Sequence, residues 1–146
     1  MKYLKILILF FTVYILVGST IYFSLHEYAD TQSASCLRCP FIKDVLFFSF
    51  FSTVTTSTLY FIFRRVIKKE KPVIFATILV FLFTICFSNY LIFVDRVSSW
   101  SSFSFSGELM GVFSESYLYL IGSSIVLYFF FKKLNAISEC SNTSVK

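Results

Sequence analysis

Cys36 and Cys39 are the two residues of this chain whose type and spacing could do chemistry. Two cysteines held two residues apart close a small disulfide ring in an oxidising compartment. In redox enzymes the same spacing supplies a reactive dithiol, because a lowered thiol pKa exposes a nucleophilic thiolate. The pair lies in Cys36-Leu37-Arg38-Cys39-Pro40, and the other two cysteines, Cys86 and Cys140, are remote from it in the chain. Around them the usual partners are missing. With one histidine, His26, and eight scattered acids, the sequence offers no zinc-like ligand set, no nucleophile beside a base and no glycine-rich phosphate loop. These residues predict no catalytic site, no metal and no cofactor. The C-x-x-C reads first as a candidate disulfide, stabilising only modestly because the loop it closes is so short.

The elements that must position this pair are apolar. Of the 146 residues 57% are hydrophobic and 21 are Phe, more apolar surface than a water-facing globule of this size can bury. It is concentrated in stretches 6–25, 45–63, 73–94 and 117–131, none of which contains a formal charge. A membrane-spanning helix needs about 20 mainly apolar residues. The first and third stretches meet that directly. The second is rich in hydroxyls, and the fourth is short, to be extended by 109–116 before it and by snorkelling Lys132 and Lys133 after it. The expected fold is therefore all-α, one four-helix antiparallel membrane bundle over residues 1–146. Its spans fall at about 6–25, 45–63, 73–94 and 111–131.

Charge sets the expected orientation. Ten of the 13 Lys and Arg residues fall in alternate segments: Lys2 and Lys5, then the 64–72 hairpin, then Lys132, Lys133 and Lys146. Only Arg38, Lys43 and Arg96 fall in the two loops 26–43 and 95–110. The positive-inside rule then places the hairpin, the 132–146 tail and both chain ends in the cytoplasm. The basic cluster is a tight turn between two spans, which argues against nucleic acid as a partner. Lys2 and Lys5 before an apolar run resemble a secretory leader, but the run is longer than the roughly 7 to 15 residues of such a core and lacks small residues at its end. It reads as an uncleaved span.

Two further features stand out. Ser49, Ser52, Thr53 and Thr56 fall on one stripe of the second span, with Gly122, Ser123 and Ser124 in the fourth and Gly18, Ser19 and Thr20 in the first as counterparts. Small hydroxyl residues let helices approach closely in lipid and bond across the gap. The stripe is therefore a candidate for packing inside the bundle, or for receiving a partner's helix. In the second outer loop, Trp100, Phe103 and Phe105 are interspersed with serines. A period of two predicts a short extended segment, with the aromatics as interface anchors or partner contacts. Asn89 is expected to make a hydrogen bond within the bundle.

Two resemblances follow. In size, in its four spans and in the placing of Cys36 and Cys39 before the second span, the chain resembles the disulfide-bond oxidases of the DsbB type. Lys43 stands roughly where they carry a basic residue near the quinone. That family needs a second cysteine pair in the loop between the third and fourth spans, whereas here Cys86 lies within the third stretch and Cys140 beyond the fourth. The relay lacks its other half.

The second resemblance covers nearly the whole chain. Thr58-Leu59-Tyr60-Phe61-Ile62-Phe63-Arg64-Arg65 runs from an aromatic span into a basic turn. Gly107-Glu108-Leu109-Met110 leads through Tyr117 and Tyr128 to Lys132-Lys133. In this layout the chain is similar to the immunity proteins of pore-forming colicins of the A, B and N group, although the C-x-x-C does not map onto them. The resemblance implies a multi-pass protein of the bacterial inner membrane that binds a membrane-inserted bacteriocin and keeps its channel closed. A membrane exclusion, assembly or regulatory protein is the alternative.

Overall fold

A backbone in lipid must satisfy its own N–H and C=O groups, and a charge-free run does so as a helix. The computed structural model describes the backbone of residues 2–143 and the side chains of residues 6–134. The side chains of Lys2, Lys5, Cys140 and Lys146 lie outside that range. Four helices carry the chain: α1 (Lys2–Leu25), α2 (Phe41–Val66), α3 (Glu70–Arg96) and α4 (Phe105–Thr143), with 3-10 turns at His26–Tyr28 and Ser98–Trp100. All four are long and apolar enough to cross a membrane. At 1.5 Å per residue, the 26 residues of α2 and the 27 of α3 extend about 40 Å, past the roughly 30 Å hydrocarbon core.

The helices form an up-down-up-down bundle in which each packs on the next and α4 closes back on α1. Each buries one narrow stripe. In α1 it is Leu9, Val13, Val17, Ile21 and Leu25, spaced by fours, and in α4 it is Val112, Ser116, Leu120, Ser123, Leu127 and Phe131, spaced by threes and fours as helix faces require. The 67–69 turn and the Lys132 end of α4 share the basic end of the bundle, where Tyr60 stacks on Phe131 at 4.7 Å. The 29–40 and 97–104 connections share the opposite, loop end.

Polarity is distributed inside out. Ser49, Ser52, Thr53, Thr56, Thr77, Ser88 and Asn89 are buried, whereas Phe47, Phe51, Phe75, Phe83, Phe113 and Phe129 are exposed on the flanks. In water that arrangement would be unstable. In lipid it is what packing favours, because apolar side chains gain nothing by leaving hydrocarbon while small hydroxyls let backbones approach.

Helix limits differ from the apolar stretches. The loops expected at 26–43 and 95–110 are shorter, since α2 begins at Phe41 and α4 at Phe105. Ser104 explains the second difference: its Oγ accepts the Gly107 N–H at 3.3 Å and its carbonyl accepts the Glu108 N–H at 3.0 Å, as an N-cap does. The expected extended segment is therefore corrected to a 3-10 turn, a short link and the first turn of a helix. The expected 132–146 tail likewise begins as helix, because α4 continues to Thr143.

Candidate functional site

The loop end is organised by the last two residues of α3. Arg96 is 2% exposed, the largest fully buried side chain among the described residues. Its Nε and Nη2 donate to Asp44 Oδ2 at 2.9 and 2.7 Å. Nη1 donates to the Thr31 carbonyl at 2.6 Å and Nη2 also to the Cys39 carbonyl at 3.1 Å. The guanidinium lies over the Phe41 ring, 5.3 Å from its centroid. A planar, permanently charged fork suits such a junction better than an ammonium. Asp44 in the first turn of α2 and Arg96 in the last turn of α3 also complement their helix dipoles.

Asp95 grips the same loop from the other side. Its carboxylate accepts the Ser35 N–H at 2.9 Å and its carbonyl accepts the Ala34 N–H at 2.9 Å. Ser33, buried, accepts the Cys36 N–H through Oγ at 3.0 Å. Cys36 and Cys39 are joined in a disulfide, and the Cys39 N–H donates to the Cys36 carbonyl at 3.0 Å. Three elements thus converge here: the C-x-x-C turn, the start of α2 and the end of α3. Cys86 lies ten residues before Arg96 on α3, about 15 Å along the axis, and does not join the site.

The second connection is tied to the first. Trp100 Nε1 donates to the Gln32 carbonyl at 2.8 Å, while its ring remains 57% exposed. Glu108 accepts from Tyr90 Oη at 3.0 Å and from Ser98 Oγ, joining α4 to α3 and to the turn. Phe103 meets the Phe93 ring edge-on at 5.9 Å, and Phe105 meets Tyr90 at 6.3 Å. A cleft of about 420 Å³ lies between the connections, bordered by Tyr28, Thr31, Gln32, Arg96, Val97 and Trp100. Every nitrogen of the Arg96 guanidinium already donates within the protein, so the cleft offers shape and aromatic surface rather than a free cation.

The serine and threonine stripe faces inward. Ser49, Ser52, Thr53 and Thr56 are each 0% exposed. Ser52 Oγ meets Ser88 Oγ at 3.0 Å between α2 and α3, and Ser49 Oγ donates to the Val45 carbonyl at 2.5 Å. Asn89 Nδ2 donates to Ser116 Oγ at 2.9 Å, joining α3 to α4. In this bundle the stripe serves internal packing, and none of it is presented to an incoming helix.

The glycines are reassigned too. A Cβ on Gly122 would meet nothing within 4 Å, and Gly122 is exposed, on the outer face of α4. Ser123 and Ser124 bond back to the Leu120 carbonyl at 3.1 and 2.7 Å, within their own helix. Close approach falls instead at Gly18, where a Cβ would lie 3.3 Å from Ser49 Oγ, and at Gly111, where it would lie 3.0 Å from Phe93 Cζ.

Arg96, Asp44, Asp95 and Gly111 are the residues that sequence reasoning passed over. The available signal for the first two was an arginine and an aspartate, each at the loop-side margin of a charge-free span. Among the described residues no group of three His, Cys, Asp or Glu is placed to hold a metal ion.

Fold and surface together define a class: a multi-pass α-helical membrane protein with a locked loop end and aromatic flanks. No family model, curated protein or solved structure matches the chain.

Proposed function

We propose that this chain is an immunity protein of the bacterial inner membrane, with both ends in the cytoplasm, that binds the pore-forming domain of a bacteriocin in the bilayer and holds its channel closed. One observation carries the reading: polar groups are turned inward, and what the bundle offers laterally is a broad aromatic surface in the hydrocarbon layer. A protein partner recognised on such a surface is met inside the bilayer, as a membrane-inserted helix would be. Gly122 on the outer face of α4 gives a partner backbone room to approach. The groove between α2 and α3, bordered by Phe51, Leu79, Phe83 and Phe87, gives it side-chain relief to pack against. At the loop end Leu37, Trp100 and Phe103 are exposed where a toxin arriving from outside would be met first.

To convert a channel from about 99% open to 99% closed, the protein must bind the closed helices roughly 10⁴-fold more tightly than the open ones, about 5.5 kcal/mol. Close packing over two or three helical turns, with aromatic contacts of about 0.5–1.5 kcal/mol each, is of that order.

Cells expressing the chain should survive a pore-forming bacteriocin encoded beside its gene and remain sensitive to unrelated ones. Killing at the same toxin dose with and without the chain would reject the proposal. The disulfide at the loop end favours one second reading, thiol oxidation of the DsbB type. That reading requires quinone-dependent thiol oxidation by the purified protein, abolished in a Cys36→Ser, Cys39→Ser variant. The immunity reading requires the same variant to protect.

A further inference from the structure

At the basic end a groove of about 410 Å³ opens between the start of α3 and the end of the apolar part of α4. Its floor is Ile74, Phe75 and Ile78 with the side of Tyr128, and its lip carries Lys71, Lys132 and Glu70. Both lysines are exposed. The one ion pair among the described residues is Arg96 with Asp44, so neither ammonium group is neutralised by a carboxylate there. Against one acid the lip holds two cations, with Lys69 and Lys133 adjoining them in sequence. The first turn of α3 contains Glu70 and Pro72, the latter without an N–H, so the positive charge of the lip comes from the lysines and not from the helix start.

A free anion would use the lysines and leave the apolar floor bare. An uncharged lipid would use the floor and leave the lysines unmatched. We propose that this groove is a binding site for an anionic phospholipid, with the headgroup phosphate between Lys71 and Lys132 and an acyl chain along Ile74, Phe75 and Ile78. Basic pockets between spanning helices bind acidic headgroups in this way. The site lies at the opposite end of the bundle from the Arg96 junction and does not depend on the toxin reading.

The test is native mass spectrometry of the full-length protein released from bilayers containing equal amounts of phosphatidylglycerol and phosphatidylcholine. The expected result is selective retention of phosphatidylglycerol. A Lys71→Gln, Lys132→Gln variant should lose roughly thirty-fold in that preference, taking about 1 kcal/mol per basic residue. Lys71→Arg, Lys132→Arg should keep it, as should Lys43→Gln at the loop end. Ile78→Trp, which fills the floor and leaves the charges, should reduce retention. Equal retention of the two lipids, an undiminished preference in the double glutamine variant, or displacement of phosphatidylglycerol by inorganic phosphate would overturn the proposal.

Discussion

Replacing Arg96 by Met removes the junction of the loop end while keeping most of its volume. Two consequences follow from the geometry. Asp44, whose side chain is 25% exposed, keeps a carboxylate with no cation. The Thr31 and Cys39 carbonyls lose donors that stood at 2.6 and 3.1 Å. Both of those residues are partly exposed, so water can replace the lost donors, and their share is small. Breaking a buried pair from one side costs about 3–5 kcal/mol, and the partial exposure of Asp44 places this case near 3 kcal/mol. At about 2–4 °C per kcal/mol, the midpoint should fall by roughly 6–12 °C.

The assay is thermal unfolding in a fixed detergent, read by reaction of the partly buried Cys86 thiol with a fluorogenic maleimide in a Cys140→Ser background. A double-mutant cycle isolates the pair: Asp44→Asn combined with Arg96→Met should destabilise by about 2 kcal/mol less than the sum of the single changes. If Arg96→Met stays within about 0.5 kcal/mol of the parent, the range of ordinary surface substitutions, the junction does not hold the loop end. Additivity of the two changes would refute the pairing.

Other perturbations separate the elements. Gly18→Leu should destabilise by about 1–3 kcal/mol through overpacking against Ser49, whereas Gly122→Leu should leave the unfolding midpoint unchanged and weaken protection against the bacteriocin. A toxin assay beside the unfolding assay distinguishes the two. Ser52→Ala should cost about 0.6–2 kcal/mol for the lost bond between α2 and α3, and Ser88→Ala should add little to it in the double variant. Cys36→Ser with Cys39→Ser should lower stability by no more than about 2 kcal/mol, since a four-residue ring restricts the unfolded chain little; the same thiol assay in detergent measures it.

How much of this was legible in the chain depends on the kind of signal. The spans were readable because the absence of charge over 6–25 and 73–94 leaves a lipid-solvated helix as the one way to satisfy the backbone. The 49, 52, 53, 56 stripe was readable as a stripe because its spacing is helical, but which way it faces depends on how α1 and α3 pack around α2. Which of the two readings of Gly122 applies, packing in the bundle or a face open to a partner, could not be read for the same reason: only the position of α4 decides that Gly111 meets a neighbour and Gly122 does not. The alternation of serine and aromatics around Trp100 imitated a strand. Ser104 was in fact capping a helix, and composition does not distinguish these uses of serine. Arg96 was counted as one charge among three in the outer loops, because its partners Asp44, Thr31 and Cys39 are 52, 65 and 57 residues away.

The most direct test of the account is the membrane topology on which outer recognition and lateral binding both rest. In a Cys86→Ser, Cys140→Ser background, single cysteines are introduced at Phe103 and at Lys69 and exposed to a membrane-impermeant maleimide in intact spheroplasts. The account predicts labelling at 103 without permeabilisation and at 69 only after it. Labelling at 69 in intact spheroplasts, or recovery of the full-length chain as a water-soluble monomer without detergent, would contradict it.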